Sequence, residues 1–320
     1  MFSTPTVVGD SLLVSSCNGM VRALDKKTGR VKWDYDTQKD GEMLSFHGDP
    51  LVTNDLIVIG TDGRTGHVYA FDRSTGALRW KYDVAERGVA SDVLRLGQNA
   101  YVVTLGDELL CLDLETGKPK WTFRSGFNGH DFHWTSSPAL TADRIYFGGL
   151  DGIVYALESQ SGKLVWKKDL GAPVTTSIAL QGRNLYVGTT KRHVYRLDSG
   201  SGEVLGDIVT QAEPRWTIVL ADESILVFLG EDVLASLDLS LKKVLWSAEA
   251  SKEWTSNRPY LWRGRVLAGN RRELVALRLS DGVRQWSHQF PEVIRGIGTS
   301  NEVLYVGSLK GAIFAYPAKP

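Results

Sequence analysis

Asp151-Gly152-Ile153-Val154-Tyr155-Ala156-Leu157-Glu158-Ser159-Gln160-Ser161-Gly162-Lys163-Leu164-Val165-Trp166 reads as a Gly turn, a short apolar run, a Ser-Gly turn and a segment closing on Trp. Val154–Leu157 is too short for a helix and is apolar at both parities, which suits a strand buried on both faces. Glu158 ends that run, where an acidic side chain can accept hydrogen bonds from turn amides. Gly162 can take the positive φ at which a Cβ would clash. The turn hands over to a second strand, Lys163–Trp166, so the unit is a β-hairpin.

Variants of this hairpin recur along the chain. Closing Trp residues fall at 33, 80, 121, 166, 246 and 286, and Gly206 stands where one is missing. The spacings of 47, 41, 45, 40, 40 and 40 residues match four-stranded propeller blades rather than shorter leucine-rich coils. Helical tandem repeats share that period, but the β-branched runs and Gly turns oppose them. A chain of 320 residues is also long for one domain unless it is built from repeats. The reading is therefore all-β: a single eight-bladed β-propeller over 1–320. Its units run at about 3–33, 46–80, 89–121, 134–166, 174–206, 216–246, 255–286 and 295–316.

Each unit holds strands A, B and C, a turn, and strand D; in the fourth these are Thr135–Leu140, Ile145–Gly148, Ile153–Leu157 and Lys163–Trp166. Unit six puts Lys242 where the turn Gly belongs. Unit eight shows Val303–Gly307 and Ile313–Tyr316, after which Pro317-Ala318-Lys319-Pro320 is too short and too proline-rich to be strand D. Met1–Pro5 aligns with the start of an inner strand. The last blade is thus expected to have three strands, its open edge available for pairing with a strand from a partner.

Lys+Arg and Asp+Glu are equal at 37 each, so no global field favours a nucleic acid partner. Residues 1–160 carry 16 basic and 21 acidic side chains and the rest carry 21 and 16, a mildly two-toned surface. No apolar run approaches the ~18 residues of a membrane span. Cys17 and Cys111 fall at different places in different repeats, so no disulfide is expected between them. Leu13-Val14-Ser15-Ser16-Cys17 imitates a lipoprotein processing site, but Leu12–Cys17 superimposes on Ile145–Leu150 inside a later unit.

Alternating strand directions place the A–B and C–D turns on one face of the disc and the B–C and D–A loops on the other. The C–D turns are uniform, whereas the second face collects the irregular material, including the long connections Asp34–Ser45 and Thr122–His133. Variable loops on a regular scaffold are where binding concentrates. His47, His130, Asp131, His133, Trp134, Arg215, Trp216, Trp254, Arg258 and Arg295 map to that face or its rim, and form the candidate binding surface. Arg215-Trp216 and Glu253-Trp254 set aromatics beside charges, the composition of an interface hot spot. His130 and His133 are the candidate metal ligands, but their spacing matches no established motif. Asp49, Asp92 and Arg258 align at one inner-strand position and are expected to line the channel as opposed charges.

Asp25–Trp33, Asp72–Trp80 and Asp113–Trp121, each pairing Thr-Gly with a Trp four residues on, resemble the PQQ-like (quinoprotein-type) propeller repeat. The resemblance covers essentially the whole chain. It implies that Trp33, Trp80, Trp121, Trp166, Trp246 and Trp286 dock between neighbouring blades, where a large aromatic buries much area. That superfamily includes quinoprotein alcohol dehydrogenases and the barrel-assembly lipoprotein BamB, and fold alone does not choose between them. The dehydrogenases hold their quinone with calcium, carboxylate and amide ligands, a catalytic Asp and usually vicinal cysteines. Here Cys17 and Cys111 are not vicinal and no insertion is large enough to roof a quinone, so no cofactor is expected. The BamB-like branch implies a non-catalytic scaffold that binds a protein or polymer on its loop-rich face, in the periplasm or cell envelope. A cytoplasmic location applies if Met1 is the native start. The alternative is a quinoprotein-type or metal-dependent enzyme at the channel mouth, with His47, His130, Asp131 and His133.

Overall fold

The computed structural model describes residues 4–16, 18–40, 45–63, 65–84, 88–127, 136–300 and 302–317. Among the described residues eight sheets follow one another along the chain as the blades of a propeller, strand A innermost and each strand paired antiparallel with the next, and one short parallel pairing links blades five and six. In blade four these are Ala139–Leu140, Arg144–Gly148, Ile153–Glu158 and Leu164–Asp169. Strands B and C are buried on both faces because neighbouring blades cover them, whereas strand D alternates between exposed and half-buried residues. That is why B and C read as continuous apolar runs and D as a mixed one.

Strand D runs three residues past Trp166, pairing Lys167, Lys168 and Asp169 with Tyr155, Val154 and Ile153. The polar character of those residues hid the continuation in the sequence. Among the described residues blade eight has three strands, Ile294–Thr299, Val303–Ser308 and Ile313–Pro317, with the last outermost. The ring closes where Tyr305 donates its hydroxyl to Lys26 O at 3.3 Å and packs with Leu12 and Val14 of blade one.

The turn that joins C to D is built by the residue ending C. Asp72 accepts the backbone N–H groups of Ser74 and Thr75, each at 3.0 Å, together with both hydroxyls. The Ser74 hydroxyl contributes most to bringing its carboxyl down to about 2. Gly76 then sits at φ +72° and its N–H returns to Asp72 O. A Cβ there would collide with the Trp33 indole of the preceding blade, so Gly serves the backbone and the interface at once.

Trp33 donates its indole N–H to Arg73 O at 3.1 Å, and Trp80, Trp121, Trp166 and Trp246 repeat this bond on Leu114, Ser159, Ser199 and Leu279. Trp286 packs on Tyr316 at 6.3 Å. The position equivalent to those acceptors, 318, lies outside the described residues.

Blade six departs from the sequence reading. The positive φ moves from position 242 to Leu241 (φ +57°), whose buried side chain joins the core between blades five and six. The carbonyl that an indole would cap, Leu239 O, receives the Tyr186 hydroxyl at 2.9 Å and an Arg196 N–H at 3.4 Å. Gly206 in place of Trp and the missing turn Gly are therefore one compensated change.

Candidate functional site

The B–C and D–A loops surround the channel mouth, and the structure brings Arg215, Trp216 and Arg295 together there. With Leu150, Thr175, Glu213 and Glu231 they line a cleft of about 340 Å3. Trp216 is the centrepiece. It lies in strand A of blade six (Pro214–Leu220), where the pairing register slips between Arg215 and Val219. Its backbone takes φ +63°, uncommon for a bulky side chain and of the kind that clusters at binding sites. A short parallel pairing with Thr176 of blade five and an edge-on contact with Phe228 at 5.6 Å fix its position, with the ring half-buried.

Arg215 is flanked by Glu231 at 3.4 Å and Glu213 at 3.9 Å, and Arg295 donates to Thr255 O at 3.4 Å. The cleft thus offers one aromatic surface rimmed by both charge signs, a composition suited to a peptide surface.

Deeper in the channel, Arg258 lies 2.8 Å from Asp49 and 3.3 Å from Asp92, joining blades seven, two and three. Burial works against the Arg258 charge, but the two carboxylates outweigh it and raise its pKa. Burial likewise raises Asp92, with Asp49 adding to the effect and Arg258 opposing it. Little space remains at this level: the cavity bounded by His47, Asp92, Ser137, Trp216 and Arg258 holds about 30 Å3. Arg258 accordingly belongs to the channel wall and not to the outer face.

Trp254 is a second correction. It is 3% exposed, packed 6.0 Å from Phe228 in the core between blades six and seven, and so lies beneath the face rather than on it. His47 is half-buried, with Nδ1 2.8 Å from Asp62. His130, Asp131, His133, Trp134 and Cys17 lie outside the described residues. Among the described residues no group of three or more His, Cys, Asp or Glu is arranged to hold a metal ion. Cys111 is buried in strand C of blade three, and burial pushes its thiol up to about 11.

The sequence reading missed Asp107. It is buried at φ +61° in the B–C loop of blade three, where it accepts the Leu150 N–H at 2.9 Å and the Ser125 hydroxyl. Desolvation pushes its carboxyl up to about 6, and nearby Asp151 adds to the rise. The one available signal was Gly106-Asp107 ahead of a strand, a turn pattern that does not announce contact with another blade.

The family model for outer membrane protein assembly factor BamB matches residues 1–106, 64–215 and 209–319, nearly the whole chain. The chain belongs to the BamB family. The BamB of Legionella pneumophila is 27% identical over 194 residues, 58% of this chain and 48% of that protein. This chain therefore spans about half the length of that BamB. The BamB of Burkholderia pseudomallei is 24% identical over 292 residues, 85% of this chain and 72% of that one. The crystal structure of BamB from Moraxella catarrhalis superposes with a TM-score of 0.83 at 17% identity, covering 99% of this chain and 96% of that BamB, which shows a shared fold. No helix among the described residues is long and apolar enough to cross a membrane.

Proposed function

We propose that this chain is a non-catalytic scaffold of outer membrane protein assembly in the cell envelope, and that it engages a protein partner through the cleft at the channel mouth. Its membership of the BamB family supports the process. The observation that carries the site is Trp216, a half-buried aromatic held at positive φ between Arg215 and Arg295 on the loop-rich face. A rigid ring offers contact area at little entropic cost, and the flanking charges orient the partner.

Complementation of a BamB-deficient strain tests the reading. The unmodified chain should restore outer membrane protein levels, whereas Trp216→Ala and Arg215→Ala should fail to do so. Both variants should keep their melting temperatures within a few degrees, because neither residue is fully buried. Full complementation by both variants would remove the cleft from the reading. Failure of the unmodified chain would remove the assembly role.

A further inference from the structure

Blade seven carries another recess on the loop-rich face, apart from the Trp216 cleft. It holds about 330 Å3 and is walled by Lys252 from the loop entering the blade, by Asn270, Arg271 and Arg272 at the turn between strands B and C, and by Glu273 and Gln289. Three cations stand there against one carboxylate, and Arg284 already engages that carboxylate. Arg271 lies 3.5 Å from Glu253, and Glu292, next to Val293 of the wall, accepts the Ser308 hydroxyl. Among the described residues Lys252 and Arg272 form no ion pair, and both side chains are exposed.

The backbone that carries these cations is fixed on both sides. Strand B ends at Asn270 and strand C begins at Glu273, the two paired with each other, so Arg271 and Arg272 are the whole connection. Two-residue hairpin turns favour Gly or Asn where φ is positive, yet Arg271 sits there at φ +52°. Its carbonyl accepts the Ile294 N–H at 2.7 Å, and the Arg272 carbonyl accepts the Phe290 N–H at 2.6 Å, which ties the turn to the chain entering blade eight. Asn270, 5% exposed, meets Ser251 Oγ at 2.8 Å and so steadies the loop that carries Lys252. A strained residue kept at a solvent-facing turn points to a use for its side chain.

We propose that this recess binds a phosphate monoester. Lys252 and Arg272 supply unpaired donors and Arg271 the third cation, and a guanidinium matches phosphate oxygens two at a time. Three cations against one carboxylate leave an excess of two positive charges. That excess fits the charge of roughly −1.5 to −2 that a phosphate monoester carries at pH 7. A carboxylate or a phosphate diester would leave one cation unmatched. Free phosphate and a lipid headgroup ending in a phosphate monoester share this chemistry. The site is separate from the Trp216 cleft and stands or falls independently of it.

Inorganic phosphate titrated calorimetrically into the full chain at low ionic strength is the first arm of the test. Saturation with a Kd below about 1 mM is expected, weakening as sodium chloride is added. Lys252→Ala and Arg272→Ala should each weaken binding about tenfold or more, the worth of one hydrogen bond to a charged group. Both side chains are exposed, so these variants should keep the parent melting temperature. Lys243→Ala, an exposed lysine in a C–D turn on the opposite face, should bind phosphate like the parent. The second arm is cosedimentation with phosphatidylcholine vesicles, with and without phosphatidic acid, whose headgroup is a phosphate monoester. Capture by the phosphatidic acid vesicles that Arg272→Ala abolishes would assign the site to a lipid headgroup, and phosphate binding without capture would assign it to a soluble phosphorylated ligand. Absence of saturation by phosphate, equal affinity for acetate, or phosphate binding indifferent to both Lys252→Ala and Arg272→Ala would overturn the proposal.

Discussion

Asp107 shows how a single side chain can join two blades at a cost. Its carboxylate holds the Leu150 N–H across the boundary between blades three and four, but burial favours the neutral form and lifts the pKa to about 6. A raised carboxyl pKa means that the folded state keeps a proton which the unfolded state has already lost. Stability is therefore greatest below the ordinary Asp range and falls as pH rises through about 6. Asn tolerates positive φ and retains a carbonyl acceptor without the charge. Asp107→Asn should be more stable than the parent at pH 7.5, by on the order of 1–3 kcal/mol, with the advantage shrinking toward pH 4.5. Urea melts at the two pH values measure this, and a constant difference would show that Asp107 stays ionised throughout.

The hairpin and the indole that seals it form the unit at the next scale. Trp, turn Gly and accepting carbonyl come from adjacent blades, so none of the three can change alone. Blades five and six demonstrate this, with Gly206 opposite a turn whose Leu241 fills the space and whose Leu239 O is capped by Tyr186. Gly206→Trp alone should overpack the seam and cost about 1–3 kcal/mol. Leu241→Thr with Lys242→Gly, which restores the usual turn, should open a cavity and cost about 2–4 kcal/mol. Combining all three substitutions should recover most of the loss, with a coupling of about 1–3 kcal/mol in chemical denaturation. Simple additivity would show that the two seams are not equivalent.

Across the whole molecule, sheets that contact only their neighbours must still be held in a ring. Among the described residues such ties at long sequence separation include Tyr305 reaching Lys26 at the closing seam, the hydroxyls of Thr4 and Tyr260 bonding at 3.1 Å, and Arg258 reaching Asp49 and Asp92 across the channel. Arg258→Met would leave two half-buried carboxylates facing each other without their cation, at a cost of about 2–4 kcal/mol. Adding Asp49→Asn and Asp92→Asn should return most of it, because the penalty comes from unpaired charge rather than from lost contacts. If the triple variant melts below the single one, the ion triad is itself what keeps the channel wall together.

The sequence by itself determined the eight-fold repeat, the all-β class and the Gly turns. Each rests on local chemistry: apolar runs at strand length, and an acid and a positive-φ Gly at fixed offsets. The aligned charges at 49, 92 and 258 were also legible, since one column of a repeat points to one place in the ring. What only the tertiary structure decided is which side chains surface. Arg215-Trp216 and Glu253-Trp254 share the same local pattern, and both rings contact Phe228. Trp216 sits where the register slips and reaches the channel mouth, while Trp254 is covered by the packing of blades six and seven. Local pattern sets backbone conformation, but burial depends on what a neighbouring blade lays over a residue, and that is settled only when the ring is assembled.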